Sequence, residues 1–450
     1  MHTRRNAGVG ALAALFVIVS STLLLLARPA AAEPKRPKQR YGGPEEGKTS
    51  ALEVVEWVPR VALFPLWAVS EFGVRRPLGA FLKFVEEKQV VLGLMAVLTF
   101  GERRQISIFP SALFDFGLLP SVGFNAGWQH FLAETNTASL HFGTWGADWI
   151  SIRATDEYEL AKGRTLSFDT SLVRRQDNPF FGMGPRSPAD GRVRYQSTGL
   201  EMAVGYQQDL WRSSSFQARA GARSLTFGDG TCCGQPALRD ADAAGGAPPP
   251  GFDDGYGAGF QRLSIAVDSR QERPHHGGGL RFEAHEEAVF APSSMGPRAW
   301  VKYGGSAGAA VDVTGYQRVL SLTVYAELAD PITGVVPFTD QVSLGGNTLM
   351  RGYLPNRLVD RSALVASLRY TWPVWVYLDG VIETDVGNVF GARFSELDPK
   401  LLRLTTAIGV RSNGSRASGF EVLVAAGTDP FENGFAVSSA RLVLGSHHGF

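Results

Sequence analysis

From about Gln105 onward, apolar and polar positions alternate with a period of two. Leu364, Ala366, Leu368, Tyr370 and Trp372 interleave with Val365, Ser367, Arg369 and Thr371, so one face is apolar and ends in an aromatic pair while the other is mostly polar. The same alternation runs through Leu320, Leu322, Val324, Ala326 against Ser321, Thr323, Tyr325, Glu327, and through Leu402, Leu404, Thr406, Ile408, Val410 against Arg403, Thr405, Gly409, Arg411. It recurs in Leu166, Phe168, Leu172 against Ser167, Asp169, Ser171, and in Leu200, Met202, Val204, Tyr206 against Glu201 and Gln207. A soluble β-sandwich also alternates, but its core does not accept unpaired Arg, Glu, Asp and Gln on the second face. An apolar face toward lipid and a polar face toward a lumen accounts for both. The pattern predicts an all-β fold, a transmembrane antiparallel barrel over residues 102–450, with room for about sixteen strands.

The stretch before the barrel divides by composition. Arg4 and Arg5 precede the apolar run Ala11 to Leu26, and Pro29-Ala30-Ala31-Ala32-Glu33 follows; this reads as a secretory signal peptide cut after Ala32. An uncleaved membrane anchor is the alternative for so long an apolar run. Residues 33–50 are rich in Pro, Lys, Gly and Glu and predict a flexible linker. Over residues 51–101 the apolar positions Val54, Val55, Val58, Ala62, Leu66, Val69 and Phe72 take helical spacing, broken by Pro59, Pro65 and Pro77. Short periplasmic helices are expected there. After Ala32 no segment is apolar for long enough to cross as a helix, so a spanning chain must pair its backbone as a barrel.

Composition agrees with interleaved rather than segregated polarity: 52 glycines, 11% aromatic and 19% charged residues, with a mean hydropathy close to zero. Lys plus Arg number 44 and Asp plus Glu 43, a net charge of +1, which gives no basic footprint for nucleic acid. The cysteines, Cys232 and Cys233, are adjacent, and adjacent residues are expected to be poor disulfide partners. They fall in a Gly-, Pro- and Asp-rich segment from Gly228 to Gly259 that reads as a mobile extracellular loop. A second long loop runs from about Asp330 to Ser362.

That second loop carries Val336-Pro337-Phe338, then Leu344-Gly345-Gly346 and Leu349-Met350-Arg351-Gly352-Tyr353, and is followed by Thr384-Asp385-Val386-Gly387-Asn388-Val389-Phe390. Upstream lie Pro179-Phe180-Phe181-Gly182-Met183-Gly184 and Val267-Asp268-Ser269-Arg270. In order and spacing these segments resemble the surface-antigen superfamily of outer-membrane assembly and translocation barrels, represented by BamA and TamA. The resemblance implies that the arginine loop folds back into the barrel and that its guanidinium meets acids on the lumen wall. It marks Gly345, Gly346, Gly387, Asp268, Arg270, Gly182 and Gly184 as motif positions, and the terminal Phe450 as a signal to the cell's barrel-insertion machinery. Counting by twos, Glu383 and Asp385 share an inward face with Asp379, while Leu378, Ile382 and Val386 take the other. Arg351 is therefore expected to be locked by Asp385 and Glu383, with Gly352 turning tightly beside the wall and Tyr353 next to it.

The pattern departs from the superfamily in three places. The stretch from Glu33 to about Gly101 is too short and too helical for the periplasmic POTRA repeats of assembly members, Arg369 stands where an acid is common, and Gly445 is farther from the terminal aromatic than usual. No Gly-x-Ser-x-Gly elbow, His-Glu-x-x-His helix or phosphate loop is present. His275-His276 and His447-His448 read as turn or solvated residues, and inward His285 has no evident partner. The sequence thus predicts no enzyme, metal or cofactor. The resemblance implies insertion or translocation of polypeptide or lipid at the bacterial outer membrane, with outer-membrane lipid as its surroundings and opening between first and last strands. A passive or gated pore, plugged by the Arg351 loop, is the competing expectation.

Overall fold

The computed structural model describes residues 98–101, 103–113, 118–242, 248–270, 278–292, 296–313, 317–375, 378–412 and 419–447. The expected signal peptide, linker and nearly all of the helical segment, together with His275, His276, His448 and Phe450, lie outside these.

A two-residue strand β1 (Thr99–Phe100) precedes β2 (Ile106–Leu113), β3 (Ser121–Gln129), β4 (Asn136–Thr144), β5 (Ile150–Ala161) and β6 (Arg164–Phe180). Next come β7 (Val193–Asp209), β8 (Ser215–Asp229), β9 (Tyr256–Asp268), β10 (Gly279–Ala291), β11 (Arg298–Asp312) and β12 (Val319–Thr333). A small hairpin, β13 (Val342–Leu344) with β14 (Leu358–Asp360), interrupts the series before β15 (Ser362–Trp375), β16 (Leu378–Phe390), β17 (Arg403–Ser412), β18 (Gly419–Thr428) and β19 (Val437–His447). Leaving out β1 and the hairpin, sixteen strands form one antiparallel meander, each paired to the next and β12 to β15. This is the count expected from spacing. Among the described residues no helix is long and apolar enough to cross a membrane.

The two faces of the sheet separate as the alternation requires. Ile152, Phe168, Leu200, Met202, Val204, Leu263, Ile265, Leu320, Leu368, Ile382, Ile408 and Val424 are exposed apolar residues in strand interiors. Residues of opposite parity are buried: Ser367, Asp379, Glu383, Asp385, Arg403, Thr405 and Glu421. Water around the first set and burial of the second would be an inverted soluble protein; hydrocarbon outside and a packed polar interior is the stable arrangement. Leu368→Arg should cost about 2–4 kcal/mol if that face meets the bilayer midplane. Arginine at inward-facing Thr323 should cost far less, read by unfolding of the lipid-reconstituted barrel in urea.

The four longest connections, after β6, β8, β12 and β16, all lie at one end of the strands, here the long end. At the long end Phe180, Val193, Tyr195, Leu238, Phe252 and Phe338 form a buried cluster with Phe227 against it. Leu238 and Phe252 belong to the connection expected to be mobile; burying them fixes much of that loop on the sheet. In the same connection Cys232 and Cys233 are joined as a disulfide, contrary to expectation. Cys233 is in the left-handed region at φ 66°, and the backbone turn there brings the two sulfurs together.

Candidate functional site

The connection from β12 to β15 runs inside the curved sheet and is held at both ends. Phe338 packs at 5.6 Å from Phe180, 5.2 Å from Tyr195 and 5.2 Å from Phe227, measured between ring centroids. Two residues on, Asp340 accepts from Arg223 Nη2 at 2.6 Å and from the Tyr256 hydroxyl, tying the loop to β8 and β9. Arg223 also meets Glu287 on β10 at 2.9 Å. Burial pushes the Asp340 carboxyl up from its ordinary range, and the Arg223 guanidinium opposes that shift.

The hairpin then projects the motif onto the opposite wall. Gly345 and Gly346 adopt φ of 108° and 85°, which only glycine takes without strain. Gly345 N–H donates to Leu349 O at 3.1 Å and Gly346 N–H to Tyr353 O at 2.9 Å, closing a compact tip around Met350 and Arg351. Arg351 Nη1 donates to Glu421 Oε2 on β18 at 3.2 Å, and its Nε lies 3.5 Å from Glu383 Oε1 on β16. The other Glu383 oxygen accepts from Arg369 Nε on β15. An acid shared by two guanidiniums, with a second acid opposite, makes a buried charge network of the kind that needs all its partners.

The backbone of the tip is held as firmly as its charge. Asp385 Oδ2 accepts from Met350 N–H at 2.9 Å and from Thr405 Oγ1 at 3.2 Å, while Oδ1 accepts from Ser367 Oγ at 2.6 Å. Arg441 on β19 donates through Nη1 to Gly346 O at 2.9 Å and Tyr353 O at 2.6 Å. Ser439 Oγ donates to Gly352 O at 2.7 Å, and the Tyr353 hydroxyl donates to Thr428 O. At Gly352 a Cβ would lie 2.3 Å from Ala426 O, and at Gly427 it would lie 2.5 Å from the Tyr353 ring. Loop and wall therefore touch through two glycines.

These contacts redistribute the expected roles. Glu383 is an ion-pair partner of Arg351, but Asp385 holds the loop backbone instead, and the second acid is Glu421. Gly352 does lie in a tight turn, closed by Tyr353 N–H donating to Met350 O at 3.1 Å, and it also allows the close approach to β18. Glu421 and Arg441 were missed, although inward parity in the last strands was the available signal. Arg369, noted only as a departure, completes the network through Glu383.

The β6–β7 connection docks beside the hairpin. Gly184 N–H donates to Val359 O at 2.9 Å, with Gly182 and Gly184 at φ 89° and 103°. The Arg357 guanidinium lies 4.6 Å from the Phe181 ring centroid and donates to Ser187 Oγ at 2.8 Å and Ser187 O at 2.9 Å. Burial, then the nearby Arg403, lowers its pKa to about 10, which leaves it cationic at neutral pH. Asn388 Nδ2 and Arg403 Nη2 donate to Pro185 O at 3.0 and 3.2 Å. A Cβ on Gly387 would sit 2.4 Å from Leu364 O on the neighbouring strand. Three separated motifs thus meet.

The fourth does not. Asp268 and Arg270 form a bidentate pair at 2.9 and 2.7 Å, with Arg281 adding a contact at 3.3 Å, at the end of β9 opposite the long end. His285, expected to stand alone, lies 3.1 Å from Glu327 Oε1, whose other oxygen accepts from Tyr325. Inward-facing Gly304, paired with both residues on the intervening strand, leaves space for that contact.

No family model matches the chain, and no curated protein matches it. Among solved structures it is similar to BamA from Haemophilus ducreyi lacking POTRA domains 1-3, with a TM-score of 0.51 and 12% identity over 76% of this chain and 70% of that one. It also aligns with CdiB from Acinetobacter baumannii at 11% identity, over 75% of this chain and 59% of that one, with a TM-score of 0.47. For CdiB from Escherichia coli the identity is 12%, over 76% and 61%, with a TM-score of 0.46. The fold is that of a BamA-like transmembrane β-barrel.

Proposed function

We propose that the protein is a bacterial outer-membrane barrel that inserts or translocates polypeptide or lipid, with the Arg351 loop closing its interior at rest. The observation that carries the reading is the loop's double anchorage, on Arg223 and Tyr256 at one side and on Glu383, Glu421 and Arg441 at the other. A loop built only to cover the outer rim has no need of buried charge partners on both walls. The reading assigns no catalysis, and the barrel fold of BamA supports it without specifying a cargo. A gated pore is the second reading, favoured by the same occlusion.

Planar-bilayer conductance tests the plug. Arg351→Ala should conduct more, or with more noise, than wild type. Asp385→Asn should change less in the same direction, because the asparagine carbonyl still accepts from Met350 N–H. Unchanged traces from both folded variants would remove the plug. Depletion followed by profiling of outer-membrane proteins and lipids separates the two readings, since altered cargo supports insertion or translocation and unaltered cargo leaves the pore.

A further inference from the structure

The outward face of β10 contains an acid. Leu280, Phe282 and Phe290 point outward and are exposed, Phe282 by 51% and Phe290 by 56%, and Glu286 has the same parity between them. On its own strand Glu286 therefore has apolar outward neighbours on both sides. Beside it Gln261 shares the outward face of β9 with Leu263, Ile265 and Val267. Its Nε2 lies 3.5 Å from Glu286 Oε1, so the two polar heads sit at one depth. Gln261 meets Glu286 within the chain, but hydrocarbon offers neither head a further partner, and polar groups facing lipid are stabilised where more protein groups meet them.

Leu263 on β9 and Tyr303 on β11 stand directly beside Glu286, and small residues make up most of the remaining surroundings. Ala220 and Ala222 on β8, Gly259 on β9, Ala284 and Ala288 on β10, and Gly305 on β11 all face outward around it. Small residues allow two backbones to approach closely, and side-chain hydrogen bonds then join them across the membrane-buried contact. The pair is also self-complementary, presenting a carboxamide donor next to a carboxylate acceptor. A two-fold axis along the membrane normal preserves depth, and it sets each Gln261 against the Glu286 of the opposing barrel, twice per interface.

We infer that the outward face of β8 to β11, centred on Gln261 and Glu286, is an interface with a second copy of this chain in the membrane. This rests on the membrane reading of the fold but not on what the barrel carries. The contact joins like barrels side by side, away from the Arg351 seat on β16 and β18 and from the ends β2 and β19 of the meander.

The test uses the full chain with Cys232→Ser and Cys233→Ser, carrying one new cysteine, Ala288→Cys on the patch or Leu368→Cys on another wall. In outer membranes, oxidation should give a covalent dimer from Ala288→Cys and not from Leu368→Cys. Adding Glu286→Leu and Gln261→Leu should weaken self-association in detergent by roughly tenfold or more. Heat-modifiable gel mobility identifies the folded barrels to be scored. Equal cross-linking at both positions, an adduct with a different protein, or monomers throughout would overturn the inference. Protection of Leu368→Cys from an aqueous maleimide but not a lipid-soluble one reports the membrane reading separately.

Discussion

Glu383→Ala should be among the most damaging single substitutions in the barrel wall. The carboxylate is 1% exposed and serves both Arg369 and Arg351. Removing it leaves two guanidiniums facing each other without their shared acid, a loss of about 3–5 kcal/mol for a broken buried pair. Urea unfolding in lipid vesicles should show that loss, and the loop should become accessible to protease. Adding Arg369→Met to Glu383→Ala removes one of the two guanidiniums that shared the lost acid and should recover part of the stability, a non-additivity expected only if the three residues act as one network. Independent, additive effects would contradict the network.

Gly352→Val should release the loop while sparing the wall. The atoms a Cβ would strike are backbone, Ala426 O at 2.3 Å, Ala426 C at 2.4 Å and Gly427 N at 2.6 Å, and β18 cannot retreat without breaking its ladders. The loop must move instead, taking Arg351 and Tyr353 with it. Conductance should rise at least as much as in Arg351→Ala, with wild-type unfolding of the strands. Gly427→Ala approaches the same clash from the wall side, since its Cβ would meet the Tyr353 ring at 2.5 Å. Combining Gly427→Ala with Tyr353→Ala should restore the resting conductance if ring and glycine are a matched pair. No relief in the double variant would place the effect elsewhere.

What could be read in advance follows from which interactions are periodic. Lipid acts on every second residue of every strand, so Leu364 to Trp372 declared their face, and strand parity alone put Glu383 and Asp385 inward. Parity does not choose between two acids on one face. Which oxygen reaches Arg351 and which reaches Met350 N–H depends on the height of the loop tip, set by Gly345, Gly346 and the β13–β14 ladder. Glu421 and Arg441 follow Arg351 by 70 and 90 residues, and a meander brings them near only after its curvature is known. The adjacent cysteines were misjudged because a local left-handed turn decides their pairing, and the Gly228 to Gly259 loop because Phe252 and Leu238 contribute little to composition while filling an aromatic cluster.

The seat of Arg351 also imposes an order on assembly. Glu421 and Arg441 are made after the loop they hold, on β18 and β19. Until those strands join the meander, the arginine tip has only part of its receptor, and the Gly352 and Tyr353 carbonyls lack Ser439 and Arg441. Seating of the loop therefore requires the C-terminal strands to be in place, and a chain shortened before Arg441 would carry the whole motif with its tip incompletely held.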